Sequence, residues 1–172
     1  MREGEQWKIR REVTTRAEGE WSDWCTVARE ELSEPEFLAE VENHAFVFCV
    51  EGGGLDPSPK AWQAILHGAI PIIRKTGTYR AYAELPVAFV PDWRANCFNP
   101  ECLKVWRNHL APYYDEPALR ASTLTRLGLD YWWRKISTAK RILPSNTSSS
   151  RFDFEVGRLI LSMIVHSPVL TR

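Results

Sequence analysis

An excess of charge of either sign is missing from this sequence: lysine plus arginine and aspartate plus glutamate both number 22 in 172 residues. A nucleic-acid binder usually carries a basic excess, so no nucleic-acid partner is expected. The four cysteines, Cys25, Cys49, Cys97 and Cys102, form no Cys-x-x-Cys pair, and free thiols are the expected state. His44, His67, His109 and His166 are scattered, with no His-Glu-x-x-His, so no metal site is expected. Long hydrophobic runs are missing too. Leu159 to Val165 is interrupted by Ser162 and falls well short of the ~20 residues a membrane-spanning helix requires. Met1 to Arg16 is charged throughout, without the basic start and apolar run of a secretory signal. The default location is therefore the cytoplasm, with Golgi or other membrane association following only if a longer parent chain carries an anchor.

What is present is an ordinary globular balance. The hydrophobic fraction of 44% argues against a disordered chain, and the length suits one buried core. Residues 1–33 mix charges with Trp7, Trp21 and Trp24 in no sustained period and read as a lead-in. Residues 34–142 read as one domain, and residues 143–172 as a linker followed by a tail, because Pro144, Asn146 and a Thr-Ser-Ser-Ser run are linker-like.

Within the central domain, Glu34 to Asn43 reads as a short helix capped by Ser33, with Pro35 in its first turn. Ala45 to Val50 is a continuous apolar run bounded by glycines, which suits a strand buried on both faces of a parallel sheet. A loop follows, then a helix over Ser58 to His67 with Ser58 as cap, Pro59 at its first position and Gly68 just past its end. Ile70 to Ile73 and Pro86 to Val90 repeat the buried-strand pattern, each with a proline at or near its start. Helices over Pro100 to His109 and Pro117 to Ile136 are expected to cover the sheet. The alternation predicts a doubly wound, Rossmann-like α/β layer with a parallel sheet and flanking helices.

Ligands of such layers gather at the carboxyl ends of the strands, where helix N-termini point unpaired amides outward. Glu51 to Ser58 occupies that place. Gly52, Gly53 and Gly54 let the backbone approach a ligand closely, and the helix start at Ser58 supplies donors and partial positive charge for a diphosphate. Lys60, Gln63 and His67 share one helical face, so Lys60 can pair with phosphate and Gln63 with ribose hydroxyls. A water-facing stripe on an ordinary amphipathic helix has the same pattern, and glycine loops also simply turn corners.

The run Phe46-Val47-Phe48-Cys49-Val50-Glu51-Gly52-Gly53-Gly54-Leu55-Asp56, followed by Lys60-Ala61-Trp62-Gln63-Ala64 and Gly68-Ala69-Ile70-Pro71-Ile72, resembles the exostosin-like glycosyltransferases. The likeness continues through Tyr82, Leu85-Pro86-Val87, Asp92-Trp93 and Tyr131-Trp132-Trp133, and covers roughly residues 37–136. The resemblance implies the C-terminal, nucleotide-sugar-binding half of a GT-B enzyme, with donor contacts at Gly52, Gly53, Gly54, Asp56, Ser58, Lys60 and Gln63. It implies no cofactor beyond the donor substrate. It also implies an acceptor of unknown class, met by an N-terminal domain that this chain lacks. Two positions depart from the family pattern: Lys60 stands where arginine is usual, and Gln63 where glutamate is usual. Lysine loses bidentate phosphate geometry, and glutamine loses the charged hydrogen bond. The alternative implied by these departures is a non-catalytic relative serving as a binding module. No catalytic base is evident, Glu51 and Asp56 being weak candidates.

Overall fold

The computed structural model describes residues 4–51, 59–94 and 98–142. The linker and tail expected over residues 143–172 lie outside them, as do Gly52, Gly53, Gly54, Asp56, Ser58 and Cys97. The chain forms two compact units, residues 1–128 and 129–172.

The first unit is built on three parallel strands, β1 (Phe46–Phe48), β2 (Ile70–Arg74) and β3 (Ala88–Val90), lying side by side in that order. Phe46 stands opposite Ile70, and Ile72 opposite Ala88. These are the apolar runs read from sequence, and β2 is buried from Ile70 through Ile73, as the central strand of a parallel sheet must be, whereas β1, expected to be buried on both faces, is only half-buried because it lies at the edge of the sheet. Pro71 costs little in that strand. Its neighbours Ile70 and Ile72 turn their backbone toward β1, so Pro71 faces the β3 side, and pairing with β3 begins one residue later.

Both faces of the sheet are covered, which makes this an α/β layer. On one face, helix α1 (Glu5–Glu18) buries Val13 and Ala17, and Trp21 follows it into the same core. They pack on Ile70, Ile72, Ala88 and Val90, together with Trp93, Phe98 and Leu110. Trp21 stacks on Phe48 with ring centroids 5.5 Å apart and an interplanar angle of 4°. The opening stretch is thus a core helix and not merely a lead-in. Its apolar stripe is narrow, Ile9, Val13 and Ala17, and charged residues outnumber it, which is why no period shows in the sequence.

On the other face lies α3 (Pro59–Leu66), through Ala61 and Ile65, beside Tyr82, Leu85 and Val87 of the link to β3. That link includes a short 3-10 turn, Tyr79–Ala81. Trp62 packs against Tyr82 at 4.8 Å, so Trp62 and Trp93 both serve the core. Helix α2 (Glu34–Asn43) lies alongside α3, where Val41, Ala64 and Ala69 bury one another. Its start is a capping box: the Ser33 amide donates to the Glu36 carboxylate at 2.8 Å.

The end of α3 is as the glycine predicts. Gly68 sits at φ 88°, its N–H donates to the Ile65 carbonyl and that of Ala69 to the Ala64 carbonyl at 2.9 Å, which closes a Schellman motif. Arg120 adds to this end: its guanidinium donates to Ile65 O, which also accepts from Gly68, at 2.7 Å and to Leu66 O at 2.8 Å. Arg120 belongs to α6 (Pro117–Leu127), reached through α4 (Pro100–Leu110) and the single turn α5 (Pro112–Asp115). Asn99 caps α4 by accepting from the Cys102 amide at 2.8 Å. Tyr114 donates its hydroxyl to the Pro86 carbonyl at 2.8 Å, and burial pushes its phenol well above the ordinary range.

One helix expected over Pro117 to Ile136 is two. It stops at Leu127, and Gly128 separates it from α7 (Leu129–Ile142), because glycine costs about 1 kcal/mol within a helix. Helix α7 is the described part of the second unit. There the Tyr131 and Trp132 rings meet edge to face at 5.7 Å, and Leu129 and Trp133 are exposed. Among the described residues, no helix is long and apolar enough to cross a membrane.

Candidate functional site

The carboxyl ends of the three strands are laced together by one residue. Glu51, just past β1, accepts from the guanidinium of Arg74, the last residue of β2, and from the indole Nε1 of Trp93, just past β3, at 2.9 Å. Its backbone carbonyl accepts from Arg10 Nε of α1 at 3.0 Å. Each carboxylate oxygen therefore has a fixed donor, and Glu51 acts as a strut across the strand ends rather than as a free base. Nothing in the local sequence announces these contacts, since Arg10 and Trp93 lie 41 and 42 residues away along the chain. Arg74 is the partner with a legible signal, as a basic residue ending a buried strand at the level of Glu51.

Arg94 makes a second tie at this edge, a two-pronged pair with Glu12 of α1 at 2.6 and 3.0 Å. The Arg94 hydrogen bond holds the Glu12 carboxyl below its ordinary value. Residues that follow β3 are thus fastened to the helix that covers the sheet.

Of the residues read as donor contacts, Lys60 and Gln63 are described, one turn apart on α3. Lys60 is exposed on the first turn, with Nζ 5.7 Å from the centroid of the Phe37 ring of α2. Gln63 is half-buried, and no hydrogen bond joins its amide to another described residue. His67, the third member of the stripe, lies with Nδ1 2.7 Å from Glu42 Oε1. The polar stripe therefore runs along α2, touching it at both ends, with Gln63 between. Gly52, Gly53, Gly54, Asp56 and Ser58 lie outside the described residues, between Glu51 and Pro59.

Cys49 lies beneath, fully buried against α3, and burial pushes its thiol up to about 12 while the Lys60 charge pulls weakly the other way. Cys25, Cys49 and Cys102 are free thiols. Among the described residues, no three of histidine, cysteine, aspartate and glutamate gather as a metal site would require. Chemically, the edge offers an exposed cation and a free amide on the first turns of a helix whose N-terminus opens at the carboxyl ends of parallel strands. That combination suits an anionic group.

No protein-family model matches the chain, and a comparison with curated proteins likewise finds no match.

Proposed function

We propose that the first unit is a Rossmann-like donor domain of GT-B type, binding a nucleotide sugar and completing a glycosyltransferase when joined to an acceptor domain. The observation that carries this reading is the placement of α3. It starts with Pro59 where the loop after β1 ends, so its N-terminal amides and Lys60 lie at the carboxyl end of a parallel sheet. The ordered likeness to exostosin-like enzymes supports the same placement. In this reading the glycines and Ser58 approach the diphosphate, Lys60 offsets its charge, Asp56 shapes the loop, and Gln63 meets the ribose. The protein's work in transfer is orientation of the donor and stabilisation of the leaving diphosphate. The acceptor and its activating base come from the second domain.

The contacts of Lys60 with Phe37 and of His67 with Glu42 favour a second reading, a non-catalytic relative that binds but does not transfer. Calorimetric titration with uridine and guanosine diphosphates and their sugars tests both. Binding that weakens in Lys60→Ala and strengthens in Lys60→Arg with Gln63→Glu supports the donor site; no binding at millimolar ligand sinks it. Binding without hydrolysis or transfer across a broad acceptor panel favours the second reading.

A further inference from the structure

Among the described residues, the outer edge of β1 has no partner strand. Ile70 donates its N–H to the Ala45 carbonyl, and Cys49 donates its N–H to the Ile72 carbonyl, both at 2.9 Å. Alternate residues of a parallel strand point their backbone groups to opposite sides, so Phe46, Phe48 and Val50 turn theirs away from β2. No described residue makes a backbone hydrogen bond to them there. Beside this edge runs a groove of about 920 Å³. Its walls are Val13 and Ala17 of α1 on one side, Phe37 and Val41 of α2 on the other, and the irregular stretch around Val27.

We propose that this groove is a docking site for one extended peptide strand of another polypeptide, which adds to the sheet at β1. The geometry selects the occupant. A small apolar ligand leaves the edge N–H and C=O groups unanswered, whereas a peptide backbone meets them at every second residue. Residues of α1 and α2 wall the groove on either side of the edge, a channel shaped for one strand. Apolar walls on both sides call for an apolar strand, since its alternate side chains meet α1 and α2 in turn. The ends of the groove differ in charge. Arg10, held by the Glu51 carbonyl, and Lys60 line it near the carboxyl end of β1, Glu40, beside His44, lines it near the start, and Arg29 and Glu30, of opposite sign, line it along the stretch around Val27. The matching strand therefore carries an acidic residue at the Arg10 and Lys60 end and a basic one at the Glu40 end.

The test uses the full chain and the peptide acetyl-Lys-Val-Thr-Val-Ile-Val-Glu-amide, with a second peptide N-methylated at alternate residues so that one backbone edge cannot donate. Amide exchange is followed by NMR and affinity by fluorescence anisotropy. In the free chain the amides of Phe46, Phe48 and Val50 exchange fast. The peptide slows them about tenfold or more, and N-methylation of the strand's donating edge weakens binding by about tenfold. Reversing charge with Arg10→Glu and Lys60→Glu moves the preference to the peptide whose terminal Glu is replaced by Lys. Three results overturn the proposal: no protection at millimolar peptide with the fold intact by circular dichroism, equal binding of the N-methylated peptide, or protection of the three amides already in the free chain. If that last protection grows with protein concentration alongside a sedimenting dimer, the occupant is a second copy instead. None of these readouts involves nucleotide, so failure here leaves the donor-site reading standing.

Discussion

Replacing Glu51 by alanine removes the strut that joins the ends of all three strands, and its cost can be worked from the contacts. Trp93 is 4% exposed, so its indole N–H loses its acceptor in a place water reaches poorly, which costs about 1–3 kcal/mol. The Arg74 pair is about a quarter exposed on both sides, at 31% and 22%, and is discounted to about 0–1 kcal/mol for solvent screening. The sum is about 1–4 kcal/mol. Glu51→Gln keeps an oxygen for the indole but turns an NH2 donor toward Arg74, losing the charge and that screened hydrogen bond, so about 1 kcal/mol is expected. Urea denaturation followed by far-ultraviolet circular dichroism reads the difference. With a slope of about 2 kcal/mol per molar, the alanine variant unfolds at a midpoint roughly 1 M lower. Trp93→Phe supplies the control: it removes the donor, so Glu51→Ala should cost about 1 kcal/mol less in that background. A Glu51→Ala cost under about 0.5 kcal/mol, or full additivity with Trp93→Phe, refutes the strut.

Gly68→Ala meets open space, so its cost is that of forcing a side chain into φ 88°, about 1 kcal/mol, and a melting temperature equal to wild type refutes the assigned Schellman geometry. The Glu12 carboxyl titrates below its ordinary value of 4.5 in the folded chain, so its pair with Arg94 stabilises fully above that value and the contribution fades as pH falls through the lowered folded value. Wild type and Glu12→Gln should accordingly differ in stability near pH 6 and converge in acid, and a difference that widens in acid contradicts the sign. The Cys49 thiol, buried and titrating near 12, should resist dithionitrobenzoate in the native chain and react on unfolding, while half-buried Cys102 reacts first. Prompt labelling of Cys49 without loss of structure would show that α3 does not seal that face.

Elements whose cause is local were legible in the sequence. The three strands announced themselves as apolar runs, though β1 is half-buried at the edge of the sheet; α2 did so by Ser33 and Pro35, and α3 by Pro59 and Gly68. What escaped depends on partners far along the chain. Helix α1 carries only a thin apolar stripe amid charge, and it is buried because Trp21 and Phe98 meet over Phe48. The lacing of Glu51 needs Arg10, Arg74 and Trp93 brought together by the fold itself. At the candidate site, periodicity placed Lys60, Gln63 and His67 on one face correctly as helix geometry. That α2 runs along this face, with Phe37 beneath Lys60 and Glu42 against His67, follows from tertiary packing that no helical period encodes.

The position of α1 also sets a timetable. Its covering face is completed by Trp93, Phe98 and Leu110, and its tie to Arg94 spans 82 residues. At about 5–20 residues per second of synthesis, Glu12 leaves the ribosome roughly 4–16 s before its partner does. During that interval Val13, Ala17 and Trp21 have no sheet to cover, and the helix they belong to is too short to persist alone in water. The chain therefore begins with a segment that must wait for its own middle, and whatever shields those side chains in the meantime governs how much protein reaches the folded state.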